Sequence, residues 1–347
     1  MKIDKWSWLA LMRFFLALIV AVNHLAGDMP LGPILGIFPK LGAFQAIMGF
    51  LLISGYSIGE SYLNQPHNFF ARRAMRIYPV YLAAILLTWL VSPQTLDWSF
   101  FALLVLNVLF LNQVFIDYSY VGPAWTLSLE VWLYALAPWF SKQSTRLLRW
   151  FIFISFVAFA FYTAGRSLFH WNYYSGVNWG LNLLFLSYTW IAGFLLAKDP
   201  AARKSTMRLI AVLFLLEIAV EAVIQLGYRM KHHHPAIFFR EDLSDYALMG
   251  ATLLIVWLVF RKILEPAPVP AGMVKKSSWM RLLGDISYPL YLTHMRVFDL
   301  LPRLKITNPY LATVIAVLVA FAVYLLVDFY SQRREKRKTK AALLAAA

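Results

Sequence analysis

Four short stretches of this chain place ionisable or hydroxyl side chains inside apolar surroundings, where such groups are costly and usually functional. In the first, Arg13 and His24 lie within one apolar run. Eleven positions are about three turns at ~3.6 residues per turn, so the two share a helical face, roughly 16 Å apart. A cation near one end of a helix and a proton-transfer group near the other can serve a substrate that runs along it; a snorkelling arginine and a core histidine are the bland alternative. The second stretch, Phe69 to Pro79, crowds Arg72, Arg73 and Arg76 at the mouth of an apolar segment. Guanidinium forks bind phosphate oxygens bidentately, and Arg73 and Arg76, three apart, can face one ligand. Membrane anchoring would equally place basic residues there. In the third, Gly122 to Tyr134, the carboxylate of Glu130 interrupts an apolar run. Buried alone it would cost several kcal/mol or take up a proton, so a histidine or arginine partner is expected. The fourth, Ile286 to His294, sets Ser287, Tyr291 and His294 at i, i+4 and i+7, one helical stripe.

The elements that must hold these groups are membrane helices. The chain is 61% hydrophobic and 14% charged, too apolar for an ordinary soluble domain. Apolar runs of about twenty residues recur to the C-terminus and predict an all-α, polytopic transmembrane helical bundle. They fall at Trp6–Ala26, Ile34–Ile58, Ile77–Val91, Phe100–Phe115, Ala124–Phe140, Leu147–Ala164, Leu181–Ala197, Leu209–Leu226, Tyr246–Leu264, Trp279–Leu301 and Tyr310–Tyr330. No small-x-small cleavage site follows the first, and Gly27-Asp28-Met29-Pro30 reads as a turn, so it is not expected to be a cleaved leader.

The net charge of +15 bears on orientation rather than on nucleic acid. Five basic groups should all be cytoplasmic by the positive-inside rule: Arg72, Arg73 and Arg76 in one loop; Lys142, Arg146 and Arg149; Lys198, Arg203, Lys204 and Arg208; Arg261, Lys262, Lys275, Lys276 and Arg281; and the tail from Arg333 to Lys338. Three apolar segments lie between Arg76 and Lys142, yet only an even number of crossings fits. One of them is therefore re-entrant or buried in the bundle, and Phe100–Phe115, broken by Asn107 and followed by Asn112 and Gln113, is the weakest spanning candidate. The expectation is about ten spans with both termini cytoplasmic, residues 1–330 forming the membrane domain and 331–347 a basic tail facing lipid headgroups. On this topology His24 and His294 both lie in the outer half of their helices, with Glu130 at similar depth if its segment runs inward. The chain has no cysteine, which excludes a thiol nucleophile and disulfides.

Taken in order, the four stretches resemble the membrane-bound acyltransferase 3 family. Arg13 and His24 match that family's Arg-x10-His, and Arg73 and Arg76 its Arg-x-x-Arg, followed by Ile77-Tyr78-Pro79. Trp125-Thr126-Leu127-Ser128-Leu129-Glu130 is similar to Trp-Ser-Leu-x-x-Glu, with Tyr134 beyond it. Ser287-Tyr288 through Tyr291-Leu292 to His294 is similar to the late Ser-Tyr-x-x-Tyr-Leu-x-His. Thr126, Val131 and Leu133 depart from the usual residues. The chain ends soon after its last span, so the extracytoplasmic esterase-like domain of some relatives is not expected.

The resemblance implies transfer of an acyl group, often acetyl, from cytoplasmic acyl-coenzyme A to a hydroxyl of an extracytoplasmic glycan or lipid-linked sugar, in a bacterial plasma membrane. No bound cofactor is implied; acyl-CoA is the donor substrate. In this reading Arg73 and Arg76 hold the donor's phosphates, and Arg13 lines the donor channel or stabilises the oxyanion. His24 acts as general base, with Glu130 orienting its imidazole as in a catalytic triad; a covalent acyl-His24 is the competing mechanism. Ser287, Tyr291 and His294 bind the acceptor or polarise the thioester. The aromatic outer loop from Gly165 to Tyr174, with Trp179, could stack on sugar rings or simply form an interfacial belt. Lys231-His232-His233-His234 lacks metal-ligand spacing, and no metal is expected. The rival class is a proton-coupled secondary transporter using the same His, Glu and Arg set, although the paired halves of such folds are not visible.

Overall fold

The computed structural model describes residues 2–265 and 274–346, without the side chains of residues 2, 274, 275 and 330–346. The predicted roles of the Lys275 side chain and of the basic tail's side chains therefore lie outside the described residues.

Eleven helices of eleven residues or more follow one another: α1 (Lys5–Asp28), α2 (Ala43–Asn64), α3 (Phe69–Val91), α4 (Trp98–Val108), α5 (Trp125–Lys142), α6 (Thr145–Phe169), α7 (Leu181–Lys198), α8 (Arg203–Lys231), α9 (Leu243–Leu264), α10 (Ser278–Leu300) and α11 (Pro309–Ala346). Among the described residues, strand is limited to a parallel two-residue pairing of Lys2-Ile3 with Val274-Lys275. Among the described residues, eight helices are long and apolar enough to cross a membrane: α1, α2, α3, α6, α7, α8, the stretch Pro235–Leu264 that contains α9, and Pro309–Phe329 of α11. The two other long helices, α5 and α10, are those that carry Glu130 and His294.

Three departures from the expected segments have local causes. The run from Ile34 does not join the second span. Gly36, Pro39 and Gly42, the last at φ +82°, divide it into two single-turn helices, and α2 starts at Ala43. Arg72, Arg73 and Arg76 are not in a loop, because α3 begins at Phe69 after Asn68 adopts a left-handed conformation. Phe100–Phe115 forms only the 11-residue α4 and a run of turns. Its length of about 16 Å is roughly half a hydrocarbon core. The polar residues that weakened this segment staple the turns that follow. The Asn107 side chain accepts from the Tyr120 amide at 2.9 Å, Asn112 accepts from Ser128 at 2.5 Å, and Gln113 accepts from Asn182 at 2.7 Å.

At the centre, α2 and α7 lie almost backbone to backbone. A Cβ at Gly55 would stand 1.9 Å from the Trp190 carbonyl, and one at Gly193 2.2 Å from that of Leu52. Small residues allow such an approach where lipid supplies no hydrophobic drive between helices. A second seam joins α1 to α10 and α11 through Ala17, Ala21, Ala312, Ala316 and Ala320. The outward faces of α8 and α11 expose Leu215, Val223, Leu318 and Leu326, as lipid-facing surfaces do.

Candidate active site

The register of α1 against α10 places the histidines. The two helices run parallel and in contact: the Ser277 amide and Arg281 meet Ser7 and Asp4 at one end, and Gly284 admits the Ala10 backbone, which a Cβ there would approach to 2.7 Å. Counting on from these contacts brings His24 beside His294. Their rings stack with centroids 5.0 Å apart, and His24 Nδ1 lies 2.9 Å from His294 Nε2. His294 is fully buried and His24 half-buried, below the exposed residues Ala26 to Asp28.

Hydrogen-bond logic assigns the tautomers. His294 Nδ1 sits 2.9 Å from the Leu290 carbonyl, which can only accept, so this nitrogen carries the proton. Neutral His294 Nε2 then offers a lone pair and accepts from His24 Nδ1–H. That leaves the lone pair of His24 on Nε2, free for chemistry.

Glu130 does not orient His24, contrary to the triad expectation. Its Oε2 accepts from the Tyr134 hydroxyl and, at 3.1 Å, from Ser54. The imidazole's side-chain partner is His294. Glu130 instead lines a cavity of about 130 Å³ bounded by α1, α2, α3, α5 and α10. Arg13, Arg73, Arg76, Ser287 and Tyr291 share that wall, so the structure brings the expected site residues to one chamber, except the two histidines. Arg13 donates to Ser57 at 2.6 Å and Arg73 to Ser61 at 2.5 Å. Arg73 Nε has no hydrogen-bond partner, and Arg76 interacts electrostatically with Glu130 and Asp285. Arg13, Ser57, Arg73 and Arg76 also line a second cavity, which opens toward the start of α1 and the end of α2 at Trp6, Glu60 and Asn64. The chamber therefore has a cationic mouth. Its other end reaches Thr126 and Tyr291, whose hydroxyls are 2.8 Å apart. Tyr291 is one helical turn from His294, with ring centroids 6.4 Å apart. The Ser287 hydroxyl is held by the Gly284 carbonyl at 2.6 Å.

Sequence reasoning passed over Ser54 and Ser57, although two serines three apart in an apolar run were a visible signal. It also passed over Glu217 and Glu221, one turn apart inside the eighth predicted segment. In the aromatic outer loop, the Arg166 guanidinium stands 4.6 Å from the Tyr173 ring and 5.0 Å from that of Tyr174, while Trp179 is exposed.

Fold and site together define a multi-pass helical membrane protein whose paired histidines stand above a chamber with an arginine mouth. The chain matches the acyltransferase 3 family, described as an acyltransferase domain, over residues 6–329, and it belongs to that family. It is also similar to ORF330 of Acidianus two-tailed virus, which is named, provisionally, an acetyltransferase. The two are 25% identical over 340 residues, covering 94% of this chain and 90% of the viral one. No solved structure matches.

Proposed function

We propose that this acyltransferase moves an acetyl group from cytoplasmic acetyl-CoA to a hydroxyl of an extracytoplasmic glycan or lipid-linked sugar, in a bacterial plasma membrane. The observation that carries the reading is the free Nε2 of His24, fixed by His294, near the end of a chamber whose other end is lined by Arg13, Arg73 and Arg76. Arg73 and Arg76 take the donor's phosphates through their guanidinium N–H groups. The pantetheine arm, which carries two amides, enters the chamber past Arg13, and Glu130 and Ser54 accept its N–H groups. The thioester arrives at Tyr291 and passes the Thr126–Tyr291 hydrogen bond to meet the acceptor beside His24.

His24 Nε2 takes the proton of the acceptor hydroxyl as its oxygen attacks the thioester carbonyl. The new C–O bond forms, the C–S bond breaks, and the imidazolium returns its proton to the leaving thiolate as free coenzyme A. The Nδ1–H donated to His294 stays in place throughout and spreads the imidazolium charge.

Ten spans fit this scheme: the eight apolar helices together with α5 and α10, with α4 on the outer side. All five basic groups, the tail among them, then face the cytoplasm with both termini.

The test is acetyl-CoA turnover by purified protein in detergent, with wild type beside His24→Ala and Arg73→Ala. Release of coenzyme A should fall by about 10²–10⁴-fold without the base. Arg73→Ala should raise KM for acetyl-CoA and largely spare kcat. Undiminished turnover by His24→Ala would sink the assignment.

A further inference from the structure

A second polar cluster, outside the chamber, lies at the depth of the histidines. Lys5 pairs with Glu60 at 2.8 Å and Arg13 with Ser57, so α1 and α2 are antiparallel. His24 is eleven residues beyond Arg13, and Gln45 twelve before Ser57; both stand roughly 16–18 Å from that contact, on the side away from the arginine mouth. Gln45 is buried and donates to Glu221 Oε2 at 3.0 Å. One turn earlier on α8, Glu217 is fully buried: its Oε2 accepts from the Tyr188 hydroxyl at 2.8 Å, and its Oε1 has the Gln45 side chain beside it but no well-aligned hydrogen bond. The buried Nε of Arg166 and Oδ1 of Asn182 also have none. Asn182 Nδ2 holds the Tyr174 carbonyl at 2.7 Å, and Tyr173, 42% exposed, lies under Arg166.

A fully buried carboxyl group with one poorly satisfied oxygen is costly, and a hydroxyl donor would satisfy it. A metal is a poor occupant, since no group of three His, Cys, Asp or Glu side chains is gathered among the described residues. The groups present are carboxylates and amides with spare acceptors, a guanidinium with a spare donor, and partly open aromatic rings. Vicinal hydroxyls suit the first two, and the C–H face of a pyranose suits the third. The cluster also connects to the site: the Tyr173 ring is 6.1 Å from that of Trp125, the neighbour of Thr126, which bonds Tyr291.

We infer that Glu217, Glu221, Gln45, Arg166 and Tyr173 form the acceptor subsite, which holds a sugar by vicinal hydroxyls while another of its hydroxyls reaches His24. This rests on the glycan-acylation reading and adds the residues that choose the acceptor. Asn182 completes the polar wall.

The protein, purified in nanodiscs to avoid sugar-based detergents, is titrated with methyl glucoside, methyl galactoside and methyl N-acetylglucosaminide, with binding followed by saturation-transfer NMR. Wild type should bind at least one saturably, and Glu217→Gln and Glu221→Gln should each weaken that sugar at least tenfold. Coenzyme A affinity in the same samples should stay within twofold. Tyr173→Ala, at a more open position, should weaken the sugar too and covers the case in which a glutamate variant fails to fold. No saturable binding of any of the three sugars, or unchanged binding in the folded variants, overturns the inference. Sugar binding without coenzyme A binding by wild type would instead overturn the donor reading and leave this subsite standing.

Discussion

At the residue scale, the question is what would hold His24 as the proposed base. A histidine can accept a proton at Nε2 only if its other nitrogen is fixed as a donor, and in most triads a carboxylate does this. Here the imidazole of His294 occupies that position, itself held by a backbone carbonyl. Such a partner orients without adding negative charge, so its loss should cost less than loss of the base. His294→Leu is expected to lower kcat by roughly 10²-fold, toward the lower end of general-base effects. His294→Gln, which restores an acceptor for His24 Nδ1, should recover part of it. Glu130→Gln should act differently: it lies in the proposed donor chamber with Ser54 and Tyr134, so KM for acetyl-CoA should rise while the pH profile of kcat stays put. A collapse of kcat in Glu130→Gln, with His294→Leu near normal, would restore the triad. The sequence made each of these residues visible as a polar intrusion, but depth reasoning set Glu130 level with the histidines, whereas it bonds Ser54, one turn from the Arg13–Ser57 contact. Which of them touch depends on where each helix stands around the bundle, and a single sequence carries no such lateral information. Glu217 and Glu221 were legible by the same rule that exposed Glu130, but no matching motif drew attention to them.

At the element scale, apolar runs made the helices legible because a membrane leaves the backbone no other way to satisfy itself. Their ends were less so: Gly42 and Pro39 undid the start of one span, and Asn68 lengthened another. The pairing that matters is α1 with α10, since a shift of one turn would part His24 from His294. Asp4 secures its inner end. It caps α1 by accepting from the Trp6 and Ser7 amides at 3.0 and 3.2 Å, and it pairs with Arg281 of α10 at 2.9 Å. Burial pushes its carboxyl up, but the Ser7 hydroxyl and Arg281 outweigh that and hold it below the usual range. A lowered folded value means that the stabilisation is complete above the ordinary carboxylate pKa and fades as pH falls through the folded one. Asp4→Ala should therefore melt earlier at pH 7, by a cap's worth of about 1 kcal/mol, with little more from an ion pair whose arginine is 36% exposed. The gap to wild type should close below about pH 4, near the free carboxylate value. A gap that persists at pH 2–3 in a sample that still melts cooperatively would show that Asp4 acts by packing alone.

At the scale of the whole molecule, the proposed chemistry, from a cytoplasmic thioester to an outer hydroxyl, needs a protein with two faces, and the positive-inside rule is the ground for assigning them. By length and apolarity eight helices qualify among the described residues, and the proposed ten spans add α5 and α10, which carry Glu130 and His294. Counting eight would leave Glu130 and His294 outside the membrane, although Glu130 shares a chamber with Arg13 and His294 is buried against His24 of α1. The parity of the chain between Arg76 and Lys142 decides the matter, and α4 is where it is decided. The native chain has no cysteine, so single cysteines can be read without background. Gln94→Cys and Asp117→Cys flank α4 at exposed positions, and Lys142→Cys is at the end of α5, also exposed. If α4 stays on the outer side, an impermeant maleimide added to intact cells labels positions 94 and 117 alike, and position 142 only after the membrane is opened. Labels on opposite sides of α4 would make it an eleventh crossing and reverse α5. Glu130 would then lie on a helix entering from the other face, and the donor chamber would lose the wall it shares with the arginines.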